Sequence, residues 1–287
     1  MMSQMRARLR WYVKKAARIG LAATSWGTGM LALRRCLYGE GQVRVLMYHR
    51  FRSSPYDPFS ISVGAFEHQM AWLAEHGLAI SLEEFGAFLS GQRRLLRDAV
   101  LVTVDDGFRD LWQEAVPILK RYKIPAVAFI TSSDVAAASG DGEEGEQRLC
   151  WEEICNLPEY GVAVGSHARD HVSLATLSRN QVFFQADQFR RDIEAHLQMP
   201  VVAFAYPYGT WADYNDMTEE VLDNAGYTYV FTAQHGAVTP GTEPNRLPRI
   251  KVEGGEGLWV FKLLVHGGLD AWGWIDRFAW RWQKSVR

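Results

Sequence analysis

The chain is predicted to fold as an α/β protein, an incomplete (β/α) barrel, and three observations predict it. From Val43 onward, apolar runs of strand length alternate with helical segments, the pattern of a mostly parallel sheet. Most of those runs are near-continuous rather than alternating, as expected of strands covered on both faces. There are seven of them, with no glycine-rich dinucleotide loop between a strand and a helix, since GTGM at 27–30 follows no strand.

The seven runs are VRVLMYH (43–49), AVLVTVDD (99–106), AVAFIT (126–131), VAVGSH (162–167), VVAFAYPY (201–208), YTYVFT (227–232) and LPRIKV (247–252). Between them, Phe66, Met70 and Leu73 recur at helical spacing, and Phe108 to Tyr122 reads as a helix interrupted by Pro117. Ser178 caps a longer helix whose apolar side carries Val182, Phe189, Ile193 and Leu197. After the last strand, LWVFKLLVHGGLDAW spaces Leu258, Phe261, Leu264 and Val265 as a helix packing one face inward. The acidic stretch SGDGEEGEQR (139–148) reads as a solvated surface insertion.

Composition narrows the function. With 287 residues, 48% hydrophobic and 22% charged, the chain has the make-up of an ordinary globular protein. A net charge of −2 argues against a general nucleic-acid binder. Cys36, Cys150 and Cys155 are too few for a disulfide framework and fit no zinc knuckle, so Cys150 and Cys155 are expected to be small buried hydrophobes.

The charge is unevenly spread. Residues 1–39 contain Arg6, Arg8, Arg10, Lys14, Lys15, Arg18, Arg34 and Arg35 and no acid. The uncharged stretch IGLAATSWGTGMLAL between Arg18 and Arg34 is shorter than the ~20 apolar residues of a spanning helix. It also lacks the cleavage site of a secretory signal. A basic amphipathic anchor on an anionic membrane surface is the expectation, with binding that weakens in salt. A solvated tail, or a helix packed on the domain, is the alternative. The positive-inside tendency favours the cytoplasmic face; a periplasmic enzyme on an uncleaved tether is the other reading. WGWIDRFAWRWQKSVR interleaves Trp and Arg and is expected at the same interface. The implied organisation is an anchor or tail at 1–40, a barrel at 41–255 and a helical extension at 256–287.

Polar residues gather at the C-terminal ends of the strands, where barrels keep their chemistry. The first run ends in His49, the second in Asp105-Asp106-Gly107, the fourth leads into His167 and His171, and the fifth ends in AYPYG (205–209). Adjacent carboxylates ending a buried strand repel and resist desolvation, so something must offset that cost. One carboxylate plus two imidazoles is a three-ligand set for a catalytic divalent ion. The second carboxylate is then free to act as a base.

TVDDG (103–107), SHARDH (166–171) and AYPYG together resemble the motifs of the polysaccharide deacetylases of the NodB-homology type, over about residues 43–255. The resemblance implies a distorted (β/α)7 barrel and metal-dependent removal of acetyl groups from sugars. It implies Asp105 as base, Asp106, His167 and His171 as metal ligands, and the Tyr208 backbone N–H at the oxyanion. The family's third motif begins with arginine, where this chain has Ala205. Its last motif, Leu-x-His, is imitated by LVH (264–266), but within the terminal helix. LMYHRF and LPRI resemble instead the subgroup typified by poly-N-acetylglucosamine deacetylases, which implies His49 as general acid and Arg249 in the missing arginine's role. An imidazole titrating near neutrality suits that task.

The expected activity is hydrolysis of N-acetyl groups on a polysaccharide or lipid-linked saccharide, with one divalent metal, zinc by default. An O-acetyl esterase or a deformylase acting on a carbohydrate is the alternative within enzymes. Outside them stand a glycan-binding module and a membrane-surface adaptor.

Overall fold

The computed structural model describes residues 2–28, 40–131, 147–274 and 276–277. The elements run α1 (Met2–Gly27), β1 (Val43–Tyr48), α2 (Val63–His76), α3 (Leu82–Leu89), β2 (Ala99–Val104), α4 (Val116–Tyr122), β3 (Ala126–Ile130) and α5 (Trp151–Asn156). They continue with β4 (Val162–Ser166), α6 (Arg179–Phe183), α7 (Phe189–Leu197), β5 (Ala203–Ala205), α8 (Asp216–Asn224), β6 (Tyr229–Phe231), β7 (Ile250–Lys251) and α9 (Gly257–Val265). The seven strands form one sheet in the order β6-β5-β4-β3-β2-β1-β7, and every neighbouring pair is parallel. The sheet curls until its edges meet: Phe231 bridges Leu247 on the approach to β7. This is an incomplete (β/α)7 barrel with its seam between β6 and β7.

Alternation along each strand divides the core in two. Val43, Val45, Leu101, Val127, Phe129, Ala203, Ala205 and Phe231 point inward and fill the barrel. Leu46, Tyr48, Val100, Val102, Val104, Ala128, Ile130 and Phe204 point outward against the helices. Extending the inward register past the strand ends selects His49, Asp105, His167, Arg249 and Lys251, each an even number of residues from an inward neighbour or from one another. The barrel therefore aims these side chains into its own mouth.

The later strands are shorter than their apolar runs. Val201 N–H is taken by the Glu194 carboxylate at 2.8 Å, and Pro207 has no N–H to give, so β5 keeps three residues. Pro248 likewise interrupts the ladder between the Leu247 bridge and β7. Pro117 does not end its helix: it sits in the first turn of α4, and the regular α ladder is broken just before it. The turn before it, Leu111–Ala115, is a π-turn. Capping boxes start α3 at Ser81, α6 at Ser178 and α8 at Asn215.

One expectation needs correction and another narrowing, and four fall partly or wholly outside the described residues. Cys150 and Cys155 are half-buried, not buried. Three of the N-terminal cations do not belong to a free basic face. In α1, Lys15 and Arg18 are buried, and Lys14, Lys15 and Arg18 pair with Glu253 and Glu256 after β7. Lys15 also donates to the Gly254 carbonyl, and Ala22 joins the helix-side core. The reason is electrostatic: two carboxylates at the rim of the barrel give desolvated cations a partner that water would otherwise supply. α1 is thus a helix packed on the domain, the alternative weighed above. No helix among the described residues is long and apolar enough to cross a membrane. Cys36, Arg34 and Arg35, the acidic stretch up to Glu146, and residues 278–287 of the Trp/Arg-rich segment lie outside the described residues.

One position tests the packing of the barrel interior. A Cβ on Gly165 in β4 would meet the Phe129 ring at 2.6 Å and the Ala203 carbonyl at 2.9 Å. Gly165→Ala is expected to destabilise by about 1–3 kcal/mol, the usual cost of overpacking. Urea denaturation measures it; an unchanged midpoint would mean that the interior yields freely there.

Candidate active site

The DDG turn answers the problem of two adjacent carboxylates. Consecutive strand residues point to opposite faces, yet Asp105 and Asp106 line the same cavity. Asp106 at φ 73° and Gly107 at φ 65° are both left-handed, and this breaks the alternation and turns the second carboxylate inward. Gly107 leaves no room for distortion, because an added Cβ would sit 3.2 Å from Ile130. A non-glycine residue at positive φ stores strain, tolerated best by Asp or Asn. The turn is pinned from behind. Arg148 donates to the Asp106 carbonyl at 2.6 Å, and Leu149 N–H to the Gly107 carbonyl at 2.9 Å. Arg50 and Arg148 stack on the Phe108 ring at 3.6 and 3.7 Å.

Asp105 is held by charge. Arg249 donates to both of its oxygens, at 2.6 and 2.7 Å, and both partners of that fork are buried. The same guanidinium reaches Thr103 Oγ1 at 3.3 Å and the Thr232 carbonyl at 2.9 Å. Burial pushes the Asp105 pKa up, but Arg249, then His167, outweigh it and leave it below the usual carboxylate range. Asp105 is therefore ionised at neutral pH.

Asp106, His167 and His171 converge, their nearest ligand atoms all within 4.8 Å of one another. Asp106 Oδ1 lies 3.5 Å from His167 Nε2 and 3.3 Å from His171 Nε2. His167 Nδ1–H donates to the Ala205 carbonyl at 2.7 Å, which leaves Nε2 as the lone-pair nitrogen facing the carboxylate. Burial holds His167 below its ordinary pKa. For Asp106 burial again opposes ionisation, but the surrounding His171, His49 and His167 rings more than compensate and hold it far below the usual range. Asp106 Oδ1 is buried and accepts no hydrogen bond. An orphaned buried carboxylate oxygen facing the Nε2 atoms of two imidazoles fits a divalent cation, which would complete what the protein leaves unpaired.

His49 lies 4.0 Å from Asp105 Oδ2 through its Nε2, with its ring against Phe59. Burial pushes its pKa down to about 4, against the pull of Asp105 and Asp106. That corrects the expectation of an imidazole titrating near neutrality: the resting ring is neutral. Tyr208, at φ 60°, sets its ring 4.9 Å from His171. A Cβ on the following Gly209 would meet Ala233 N at 2.5 Å, so that turn requires glycine. All seven residues singled out from sequence line one cavity of ≈ 540 Å³. His266 does not: it ends α9, faces Asp98 at 4.0 Å and lines a separate cavity.

The structure adds residues that sequence reasoning passed over. Lys251 stacks its amine 3.1 Å from the centre of the Phe59 ring, and burial lowers its pKa to about 7. Lys14 and Arg18 of α1, Glu253 and Trp272 line the same cavity. Only Lys251 had a signal, the two-residue step from Arg249 within LPRIKV.

Residues 92–230 match the family model described as polysaccharide deacetylase. The chain is 25% identical over 212 residues to the putative polysaccharide deacetylase YxkH of Bacillus subtilis, covering 74% of this chain and 71% of that protein. It is 26% identical over 246 residues to a poly-beta-1,6-N-acetyl-D-glucosamine N-deacetylase of Staphylococcus aureus, covering 76% and 81%. The solved structure of IcaB from Ammonifex degensii matches with TM-score 0.64 and 30% identity over 75% of this chain and 92% of that one. A Streptococcus pyogenes deacetylase, PplD, shares the fold with TM-score 0.67 at 22% identity, covering 75% and 93%.

The ligand set predicts a clean separation. His167→Ala and His171→Ala should each lose bound divalent metal, whereas Asp105→Asn should keep it. Elemental analysis of dialysed protein decides this, with circular dichroism as the check on folding. Stoichiometric metal in the double histidine variant would overturn the assignment.

Proposed function

We propose, for a chain that belongs to the polysaccharide deacetylase family, that it hydrolyses N-acetyl groups on N-acetylglucosamine-containing glycans or lipid-linked saccharides, with one divalent metal ion. The single observation that carries this reading is the pairing inside one cavity of an ionised, Arg-clamped Asp105 with the orphaned Asp106–His167–His171 donor set. Asp106, His167 and His171 would hold the ion; one carboxylate and two imidazoles suit zinc, and other transition metals less selectively. A bound ion of this kind supplies Lewis acidity at an acetyl carbonyl and makes water more acidic. The S. aureus relatives carry poly-beta-1,6-N-acetyl-D-glucosamine in their name, which supports the substrate class.

The remaining work belongs to the side chains. Asp105 takes the proton of the attacking water. Its lowered pKa makes it a weak base that is always ionised, and one that gives the proton up readily. His49 Nε2, 4.0 Å away, is the next acceptor. Because its ring rests neutral, it gains its proton during turnover and passes it to the amine as the C–N bond breaks. One water is consumed, and acetate and the free amine leave. The Tyr208 backbone N–H is assigned to the developing oxyanion. Arg249 keeps Asp105 oriented throughout, and ionised until it takes that proton.

Acetate release from N-acetylglucosamine oligomers by the metal-loaded protein is the direct test, and absence of release from any N-acetylated sugar would refute the reading. His49→Ala should lower kcat about 10²–10⁴-fold with metal retained, the span of a lost general acid. His266→Ala should leave turnover nearly unchanged.

The arginine clamp gives a pH test with a definite sign. Activity needs ionised Asp105, so kcat/KM falls as pH drops through its pKa in the free enzyme. Arg249→Lys loosens the fork and raises that pKa, so the acidic limb should move to higher pH. A limb that stays in place would show that another group controls it.

A further inference from the structure

The sidedness of α1 is inverted. A surface helix ordinarily turns its apolar stripe to the core and its charges to water. Here, between Trp11 and Gly27, all three charged residues, Lys14, Lys15 and Arg18, turn toward Glu253 and Glu256. The outward residues are Tyr12, Val13, Ala16, Ala17, Ile19, Gly20, Ala23, Thr24, Trp26 and Gly27. At 100° per residue they occupy roughly half the circumference without a break. Tyr12 is 54% exposed, Val13 61%, Ile19 39% and Trp26 65%. No exposed charge lies among them.

We propose that this outward face of α1 seats the protein on a lipid bilayer by apolar insertion rather than by electrostatic attraction. The charge pattern chooses the occupant: the acyl boundary penalises charge, and between Trp11 and Gly27 this face carries none, the exposed Arg8 lying one turn earlier against Tyr56. Tyr12 and Trp26 stand near its two ends, about 21 Å apart along the helix, and both residue types favour the headgroup level. Trp259 on α9, the helix packed against α1, is 48% exposed, and Trp274 just beyond is 64% exposed. The chain then continues with FAWRWQKSVR, the interleaved Trp and Arg of an interfacial segment. Three of the eight cations that suggested an anionic surface, Lys14, Lys15 and Arg18, are already paired, and their role is to fix the helix to the barrel. Since Lys14 and Arg18 line the catalytic cavity from the inner side of α1, the seat holds that cavity about one helix diameter, ~10 Å, from the lipid.

Flotation of the full-length protein with vesicles tests this without any turnover, so its failure and a failure of the deacetylase reading remain separate. Binding to pure phosphatidylcholine vesicles is expected, changing less than twofold between 50 mM and 500 mM salt. Quenching of tryptophan fluorescence by lipids brominated near the headgroup is expected to accompany it. Ile19→Glu with Trp26→Ser should reduce binding at least tenfold, with acetate release from soluble oligomers and thermal unfolding unchanged. If that variant unfolds, Ala16→Glu and Ala23→Glu, made separately at fully outward positions, replace it. Absence of binding to neutral vesicles, or binding that needs anionic lipid and vanishes in salt, overturns the proposal. So does a salt-insensitive dimer, abolished by the same substitutions, in a protein that ignores vesicles.

Discussion

The fork between Arg249 and Asp105 is the interaction on which the rest of the structure depends. It crosses the interior of an incomplete barrel from the last strand region to the end of β2, and the same guanidinium reaches the Thr232 carbonyl at the end of β6. One side chain therefore spans the seam that the sheet closes by a single bridge among the described residues. The pair is buried, so neither charge can fall back on water, and removing one partner of such a pair costs about 3–5 kcal/mol. The same burial gives Asp105 its chemistry. A carboxylate in this place without Arg249 would hold its proton to higher pH, because burial alone disfavours the ionised form. Stability at the seam and ionisation at the site are one requirement.

Around that fork the backbone is bent out of its regular forms wherever a functional group must be turned. Asp106, His171 and Tyr208 are all left-handed, and each follows a different strand. Regular alternation would deliver only His49, Asp105, His167, Arg249 and Lys251 to the mouth. The left-handed turns bring in the remaining groups from positions that a strand would aim elsewhere. Ala205 shows the complementary economy of parts: the side chain that relatives of the motif use for an arginine is absent, but its carbonyl fixes the tautomer of His167.

The strands and their polar ends were legible because two-sided burial leaves near-continuous apolar runs, and because chemistry-bearing residues have no other reason to end four of them. TVDDG, SHARDH and AYPYG could be read for the same reason. Strand lengths were not legible, since they depend on where Pro200, Pro207 and Pro248 withdraw donors from a ladder whose register only the fold defines. The resting charge of His49 was not legible either: it follows from how completely Phe59 and its neighbours exclude water, a property of packing and not of spacing. Lys251 escaped notice because a lysine in a strand run as short as LPRIKV looks like solvent-facing charge until Phe59 is placed beneath it.

The N-terminal helix shows how a charge count can mislead about a surface. Eight cations without an acid read as an electrostatic anchor when the segment is taken alone. The acids that answer three of them, Glu253 and Glu256, lie more than two hundred residues away and arrive only when β7 reaches the rim. Once paired, Lys15 and Arg18 are buried and contribute nothing to the outer surface, and the apolar residues between them do. A helix that turns its charge inward contributes twice over: Lys14 and Arg18 help to wall the cavity, and the opposite face is left free of charge. The physical constraint is the one that governs Asp105. A charge leaves water only for a partner, and where the partner stands decides which way the element faces.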